Sequence, residues 1–593
     1  SGATPSCDMR TAIRGLCPAA RTSSARLAAR VTDRPVAAAA KAAAAALAYR
    51  TPRLLHNSGG SGTSTSRGVA TRAATASQMA SAAIDTKQTY EKLCEKLKEL
   101  SAIQGISGLL GWDEMVMMPP GAAGSRAAQK SALAGVVYDK ETDAELGSLL
   151  KALLAAGEEG QLDEWQRANV RDAHKNYVKA TAVPKDLAQR IAKHESDAYQ
   201  AWVEARKASD WSKFAPALQT WVELSREKAA AIDPTRPVYD VLLDTYEKGM
   251  TTQRIDEVFA QVREGLVPLI AKIKEKEAEN SNDWIKGSYS VLTQAELCKS
   301  VALDMGFSLD NGRLDVSVHP FTGGAHPTDV RMTTRFKDDD LLEGLTGAVH
   351  ETGHALYEQG RNLEHDGLPV NSSLSMGVHE SQSLLWERCV ALSKPFSQYL
   401  KPKLASLFPE KFGGAVTAED LYRAMNVVRP GLIRVEADEV TYPMHVVLRY
   451  ELERGLLDGS ITVEQLPELW NTKMESYLGV RPENDAKGVL QDIHWSMGAL
   501  GYFPTYSLGA MYAVQIFNKA RLEIPELDAH IVEGNFKPLK TWLNKHIHSL
   551  GSLHPSGDEL MKAVTGSALD PSVFLKYLTD KYTPLYKLSH THI

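Results

Sequence analysis

The apolar positions of this chain recur mostly at helical spacing. In "VPKDLAQRIAKHESDAYQAWVEARKA" (183–208), Leu187, Ile191, Tyr199, Trp202 and Val203 share a helical stripe, with Pro184 at the first turn. Similar patterns predict helices over 86–104, 253–278, 381–400 and 417–428. Alternation of period two is scarce. Its clearest case is "GRLDVSVHPF", where Leu314, Val316 and Val318 alternate with Asp315, Ser317 and His319, and predicts a strand. The expected architecture is therefore mainly α: a large helical body with a small β-sheet. No repeat of fixed period and no Gly/Pro-rich linker divides 85–593, which predicts one long domain with a central groove.

Composition changes this picture only at the N-terminus. Residues 1–84 are rich in Ala, Ser, Thr and Arg, carry eleven basic residues against Asp8 and Asp33, and end in the run "NSGGSGTSTSRG". That is the composition of an organelle transit peptide or a disordered leader, and it is excluded from the fold. The length of the leader favours the chloroplast, with the mitochondrion as the alternative. Removing it leaves 56 basic and 71 acidic residues in the body, an excess that argues against a nucleic-acid partner. "VAAAAKAAAAALAY" is too short, too weakly apolar and interrupted by Lys41, so no membrane anchor is expected. Cys94, Cys298 and Cys389 are widely spaced in the body, which excludes a disulfide framework there.

Chemistry concentrates in "FKDDDLLEGLTGAVHETGHALYEQG". Asp338, Asp339 and Asp340 stand where a helix N-terminus favours acids, and Leu341, Leu342, Leu345 and Val349 form an apolar stripe behind them. On such a helix His350 and His354 project from one face a turn apart, with Glu351 between them. His-Glu-x-x-His supplies two neutral imidazoles to Zn²⁺ and a carboxylate beside the metal's water. A third ligand must come from elsewhere. Glu380, in "SLSMGVHESQSLLWERCV", follows His354 at a distance that allows a loop and a return helix. "HES" alone carries nothing, since "KHESDAY" repeats it at His194 inside an ordinary helical pattern.

Eight blocks in order, "LLGWDEMVMMPPGAAGSRAAQ", "YDVLLDTYEKGMT", "GRLDVSVHPF", "DVRMTTRF", "HETGHALYEQG", "GVHESQS", "IRVEADEVTYPMHV" and "GVLQDIHWSMGALGYFPTYSLG", extend the pattern from about Tyr90 to the C-terminus. With them the chain resembles the M32 metallocarboxypeptidases, the carboxypeptidase Taq family. The resemblance implies an elongated, mostly helical metallopeptidase fold with a deep active-site groove over 85–593, a homodimer, and release of single C-terminal residues from peptides with broad tolerance. It implies His350, His354 and Glu380 as ligands of Zn²⁺, with Co²⁺ or Mn²⁺ as substitutes, and Glu351 as general base and later acid.

The developing oxyanion needs a further electrophile, for which His494 and Tyr506 are expected, against plainer roles as packed core groups. A substrate carboxylate calls for an Arg fork. Arg434 is expected first, then Arg331 and Arg481, each in competition with an ion pair to a neighbour such as Asp438 or Asp329. His319 is expected near the groove or at a strand end. Leu384 departs from the family's Arg and Lys248 from the Pro of "YEPG". Two other functions fit the same residues: a zinc oligopeptidase or dipeptidyl carboxypeptidase, and a peptide-binding protein without turnover.

Overall fold

The computed structural model describes residues 85–589; the expected leader at 1–84 lies outside them. The first helix (α1, Thr86–Val116) starts at Asp85, whose carboxylate accepts from the Gln88 N–H at 3.0 Å. Its Leu93 and Leu97 join Leu146, Leu150, Leu153, Val170 and Ala173 from following helices, and Leu162 from the turn between two of them, in a separate N-terminal core, closed by Leu368 and Val370 of the body. The larger core runs through most of the remaining helices. Burial of these side chains at about 1.5–3 kcal/mol each is what holds long helices of modest individual propensity.

Three strands lie in the order β1 (Gly312–Val316), β3 (Asp329–Thr334), β2 (Phe321–His326). β1 runs parallel to β3 with Leu314 opposite Met332, and β2 runs antiparallel to β3 with Thr322 opposite Met332. Val330 and Met332 of β3 pack with Phe307 and Ala355, so the sheet rests directly on the metal-motif helix. On the other side α1 packs on β2, and the Trp112 ring lies beneath the guanidinium groups of Arg331 and Arg313, at 4.5 and 4.9 Å.

Most expected helices are present, at Thr86–Val116, Lys185–Ala208 and Thr252–Glu275 among others. The stretch 381–400 is not one helix. The helix Met376–Leu384 widens into a π-helix over Leu385–Ala391 and stops, and Ser393 caps a new helix at Lys394–Leu407 with Pro395 in its first turn. The stretch 417–428 ends at Met425. The alternation does not carry through: Leu314 packs against the Val330 and Met332 cluster, but Val316 at the end of β1 and Val318 beyond it face outward. Val316 and Val318 are 60% and 61% exposed, while Ser317 is buried and its hydroxyl contacts Thr333 at 2.7 Å. Hydrogen bonds between hydroxyls select the inward face here, against hydrophobicity.

Candidate metal centre

The motif helix (α2, Leu341–Gln359) begins as the three aspartates predict, with Asp340 accepting from the Glu343 N–H at 3.1 Å. Leu341, Leu345, Ala348 and Val349 are buried behind it. The return helix (α3, Met376–Leu384) is capped by Ser375, whose hydroxyl accepts from Val378 N–H at 3.0 Å. Two glycines let these helices close on the site. A Cβ on Gly353 would lie 2.6 Å from both the Gln382 carbonyl oxygen and Ser383 Cα. A Cβ on Gly509, in the helix α4 (Pro504–Glu523), would lie 2.8 Å from Glu380 Cβ. Any side chain at either position would push the helices apart.

That approach brings His350, His354 and Glu380 together, each offering one ligand atom within 4.8 Å of the others. Glu380 Oε2 is 3.5 Å from His354 Nε2 and 4.0 Å from His350 Nε2. Ligands at about 2.1 Å around a tetrahedral ion stand roughly 3.4 Å apart, so the spacing fits a divalent metal. The outer ring nitrogens are committed elsewhere, His350 Nδ1 to Glu387 Oε2 and His354 Nδ1 to His379 Nδ1, both at 2.6 Å. Both Nε2 atoms are thereby left to face Glu380. Two imidazoles and a carboxylate form a donor set suited to zinc and its neighbours.

Electrostatics follow the packing. Burial works against charge on His350, but the Glu387 hydrogen bond and the charges of Glu380, Glu387 and Glu351 outweigh it and push the imidazole up to about 9. Burial would raise Glu380; the His354 hydrogen bond and the nearby His350 and Arg388 instead hold it down at about 2. The cluster is thus primed with negative charge, which a cation neutralises.

Glu351 is buried one residue along from His350. The Thr322 hydroxyl of β2 donates to its Oε2 at 2.7 Å and to its backbone oxygen at 3.0 Å. A cavity of about 290 Å³ opens beside it, lined by Ser101, Thr322, Gly324, Glu358, Arg361 and His379.

Opposite stands an aromatic wall. His494 Nε2 is 3.2 Å from the Tyr506 hydroxyl, and Tyr506 stacks edge-on with Tyr502 and Tyr442 at 5.2 and 6.0 Å. Burial, with the cations Arg434 and Arg449 adding, drives His494 down to about 3 against the pull of Asp492. It is a neutral imidazole at pH 7. Burial raises the Tyr506 hydroxyl far above 10, and the charge of Glu380 contributes, which places wall and ligands in one electrostatic neighbourhood.

The arginines are distributed differently from expectation. Arg434 is buried behind the wall; its Nε and Nη2 donate to Asp492 Oδ1 at 3.0 and 2.9 Å, and its Nη1 to the Tyr442 hydroxyl at 3.0 Å. Asp438 is occupied instead as a turn acceptor for Val440 and Thr441. Arg331 pairs with Asp329 through two hydrogen bonds of 2.8 and 2.9 Å. Arg481 is exposed and bound to Glu468 and Glu475 at the surface. His319 follows β1; its neighbour Pro320 meets Gly347, one turn before His350, and its buried Nε2 has no protein partner. His194 is an ordinary helix-surface group after all, bonded to the Ala217 carbonyl at 2.8 Å.

Sequence reasoning missed Glu387, His379, Glu358, Thr322, Asp492 and Arg388. Glu387 lies seven residues beyond Glu380 and His379 is its neighbour, so spacing held a signal for both. Thr322 carries none. Arg388 is buried against the Tyr442 ring at 5.0 Å, and its Nη1 has no protein acceptor.

A mostly helical body whose His-Glu-x-x-His helix meets a following carboxylate beside a buried glutamate is the architecture of a metallopeptidase. The family described as Carboxypeptidase Taq (M32) metallopeptidase matches residues 92–582. Thermostable carboxypeptidase 1 of Thermus thermophilus is 38% identical over 507 residues, covering 84% of this chain and 99% of that protein. Carboxypeptidase 1 of Bacillus subtilis is 35% identical over 501 residues, at 84% and 99% coverage. Among solved structures, the M32 carboxypeptidase from Deinococcus radiodurans superposes with a TM-score of 0.81 at 36% identity, covering 84% of this chain and all of that one. Metallocarboxypeptidase 1 of Trypanosoma cruzi gives 0.80 at 37%, covering 84% and 99%. The chain belongs to the M32 metallocarboxypeptidase family and is a peptide hydrolase with a site for a divalent metal.

Among the described residues Cys94, Cys298 and Cys389 are free, and no helix is long and apolar enough to cross a membrane.

Proposed function

We propose that the protein removes single residues from the C-termini of peptides with broad side-chain tolerance, with Zn²⁺ as its metal and Glu351 as its general base. The observation that carries this reading is the convergence of His350 Nε2, His354 Nε2 and Glu380 on one point with Glu351 alongside. A divalent ion held there supplies Lewis-acid activation of water and of the peptide carbonyl. The Glu351 carboxylate, steered by the Thr322 hydroxyl, takes the proton from the attacking water and returns it to the leaving amine. Tyr506 and His494 offer neutral donors to the oxyanion, since both are held uncharged by burial. Arg434 supplies the positive end of the wall for the substrate carboxylate, acting through the Tyr442 and Tyr506 rings that lie over its guanidinium at 5.9 and 4.9 Å.

The relatives' names support exopeptidase action; the basic, acid-poor leader supports an organellar address, the chloroplast before the mitochondrion. A homodimer rests on the family resemblance.

The test is mass spectrometry of an N-terminally blocked peptide after incubation with the protein, with and without chelator and added Zn²⁺ or Co²⁺. Stepwise loss of single C-terminal residues, stopped by chelator and restored by metal, is expected. Loss in pairs or internal cuts would shift the reading to a dipeptidyl carboxypeptidase or oligopeptidase. No cleavage with metal bound would make this a binding protein.

A further inference from the structure

The two histidines of the motif are braced in different ways. His350 Nδ1 meets a carboxylate directly, at Glu387. Behind His354 stands a second imidazole: His354 Nδ1 and His379 Nδ1 are 2.6 Å apart, and His379 Nε2 is 2.6 Å from Glu358 Oε1. The same Glu358 oxygen is bonded by Arg361 Nη2, and Arg361 Nη1 donates to the Asn371 carbonyl. The chain Arg361, Glu358, His379, His354 is continuous.

Its polarity can be worked out from both ends. Arg361 only donates, so Glu358 Oε1 accepts from it and from His379, which places the hydrogen of His379 on Nε2. A neutral imidazole has one N–H, so His379 Nδ1 is left with a lone pair. From the other end, a histidine that binds a metal through Nε2 must carry its hydrogen on Nδ1 and donate there. The two deductions meet at the 2.6 Å contact, where His354 donates and His379 accepts. The opposite tautomer of His379 would set two N–H groups, or two lone pairs, against each other.

We propose that Arg361, Glu358 and His379 form a positioning relay that fixes His354 in the tautomer and ring orientation needed to hold the metal. This rests on the metal reading of the His350, His354 and Glu380 cluster. Because His379 immediately precedes Glu380 on α3, one dipeptide supplies both the third donor and the brace of the second. His379 is not one of the three donors and acts through His354.

The test uses the full chain stripped of metal, with the Zn²⁺ dissociation constant read by competition against a chromophoric chelator. His379→Leu removes the acceptor and is expected to weaken binding 10–100-fold, the range for losing a group that orients a ligand. His379→Asn places an amide oxygen near the former Nδ1 and is expected to recover most of the affinity. His379→Gln, closer to histidine in length, carries its amide toward Glu358 and is expected to behave like Leu. A space-filling role predicts the reverse order, with Gln at least as good as Asn. Affinity within twofold of wild type for His379→Leu, or Gln binding better than Asn, overturns the relay. If the Leu variant does not fold, the order of Asn and Gln decides alone. Failure of the wild-type protein to bind Zn²⁺ at all would sink the metal reading instead, and with it the relay.

Discussion

The two sides of the site spend their hydrogen bonds in opposite ways. On the metal side, the Nδ1 atoms of His350 and His354 bond outward, to Glu387 and His379, and three donor atoms are left facing one point. On the wall, Asp492 binds two arginines at once, Arg434 through Oδ1 and Arg449 through Oδ2 at 2.6 Å, so its own charge is met and one positive charge is left over behind the rings. One side holds unmet negative charge in readiness for a cation; the other presents neutral hydroxyl and imidazole groups. Reactivity sits with the unmet groups, whereas the satisfied ones supply shape and a fixed field.

The largest effect should come from breaking the reactive side at its base without touching the donors. Glu351→Gln keeps an acceptor for Thr322, so the side chain stays in place, but it cannot take a proton. Hydrolysis should fall by about 10²–10⁴-fold. Metal content, measured by elemental analysis, should stay within twofold. Normal hydrolysis by this variant would remove Glu351 from the mechanism.

The wall should respond in stability first. Arg434→Met strips one arginine from Asp492 and leaves Arg449 to carry the buried carboxylate, a loss of about 3 kcal/mol by analogy with other broken buried pairs. Denaturant unfolding reads that cost. The same variant separates two roles for Arg434: KM for peptides with a free C-terminus rises if its field anchors the substrate carboxylate, and stays put if the pair is structural only.

A buried carboxyl under the wall gives a pH signature. Glu453 accepts from Trp495 Nε1 at 2.8 Å, Gly501 N–H at 3.0 Å and the Tyr239 hydroxyl at 3.0 Å, yet burial outweighs these donors and lifts it to about 7. A raised folded value favours the protonated form. Its contribution to stability is complete below the unfolded value of 4.5 and is lost as pH rises through about 7. Over that window the loss is roughly 3 kcal/mol. Unfolding free energies of wild type and Glu453→Gln at pH 5 and pH 8 should differ in slope, with the flatter line for the variant. Parallel lines would show that Glu453 is ionised throughout.

Legibility followed the same division. His350, Glu351 and His354 fall on one helical face, so local periodicity placed them, and the loop length to Glu380 allowed the return helix that Gly353 and Gly509 bring close. The wall is drawn from residues near 434, 442 and 492–506, and no spacing rule joins segments that distant. Residue type named Arg434, but only the fold shows that its partner is Asp492, with Asp438 occupied elsewhere. The π-helix is invisible to a period of 3.6, and it is this segment that carries Glu387 to His350.

The smallest effect tests a place where periodicity was right about the element and about Leu314 but wrong about the two valines that follow it. Val316 and Val318 lie outward on and after β1, and Ser317 lies inward against Thr333, beside the turn that leads through His319 to α2. Val316→Thr keeps the branched Cβ that suits a strand and changes only an exposed face, so stability should shift by less than about 0.5 kcal/mol. Ser317→Val looks milder by hydropathy but removes the hydroxyl that contacts Thr333 and donates to the His319 carbonyl, which costs about 0.5–1.5 kcal/mol. If the two variants reversed this order in urea unfolding, hydrophobicity and not hydroxyl pairing would be choosing the inner face. The strand beside Glu351 would then be held by the same force as the rest of the core.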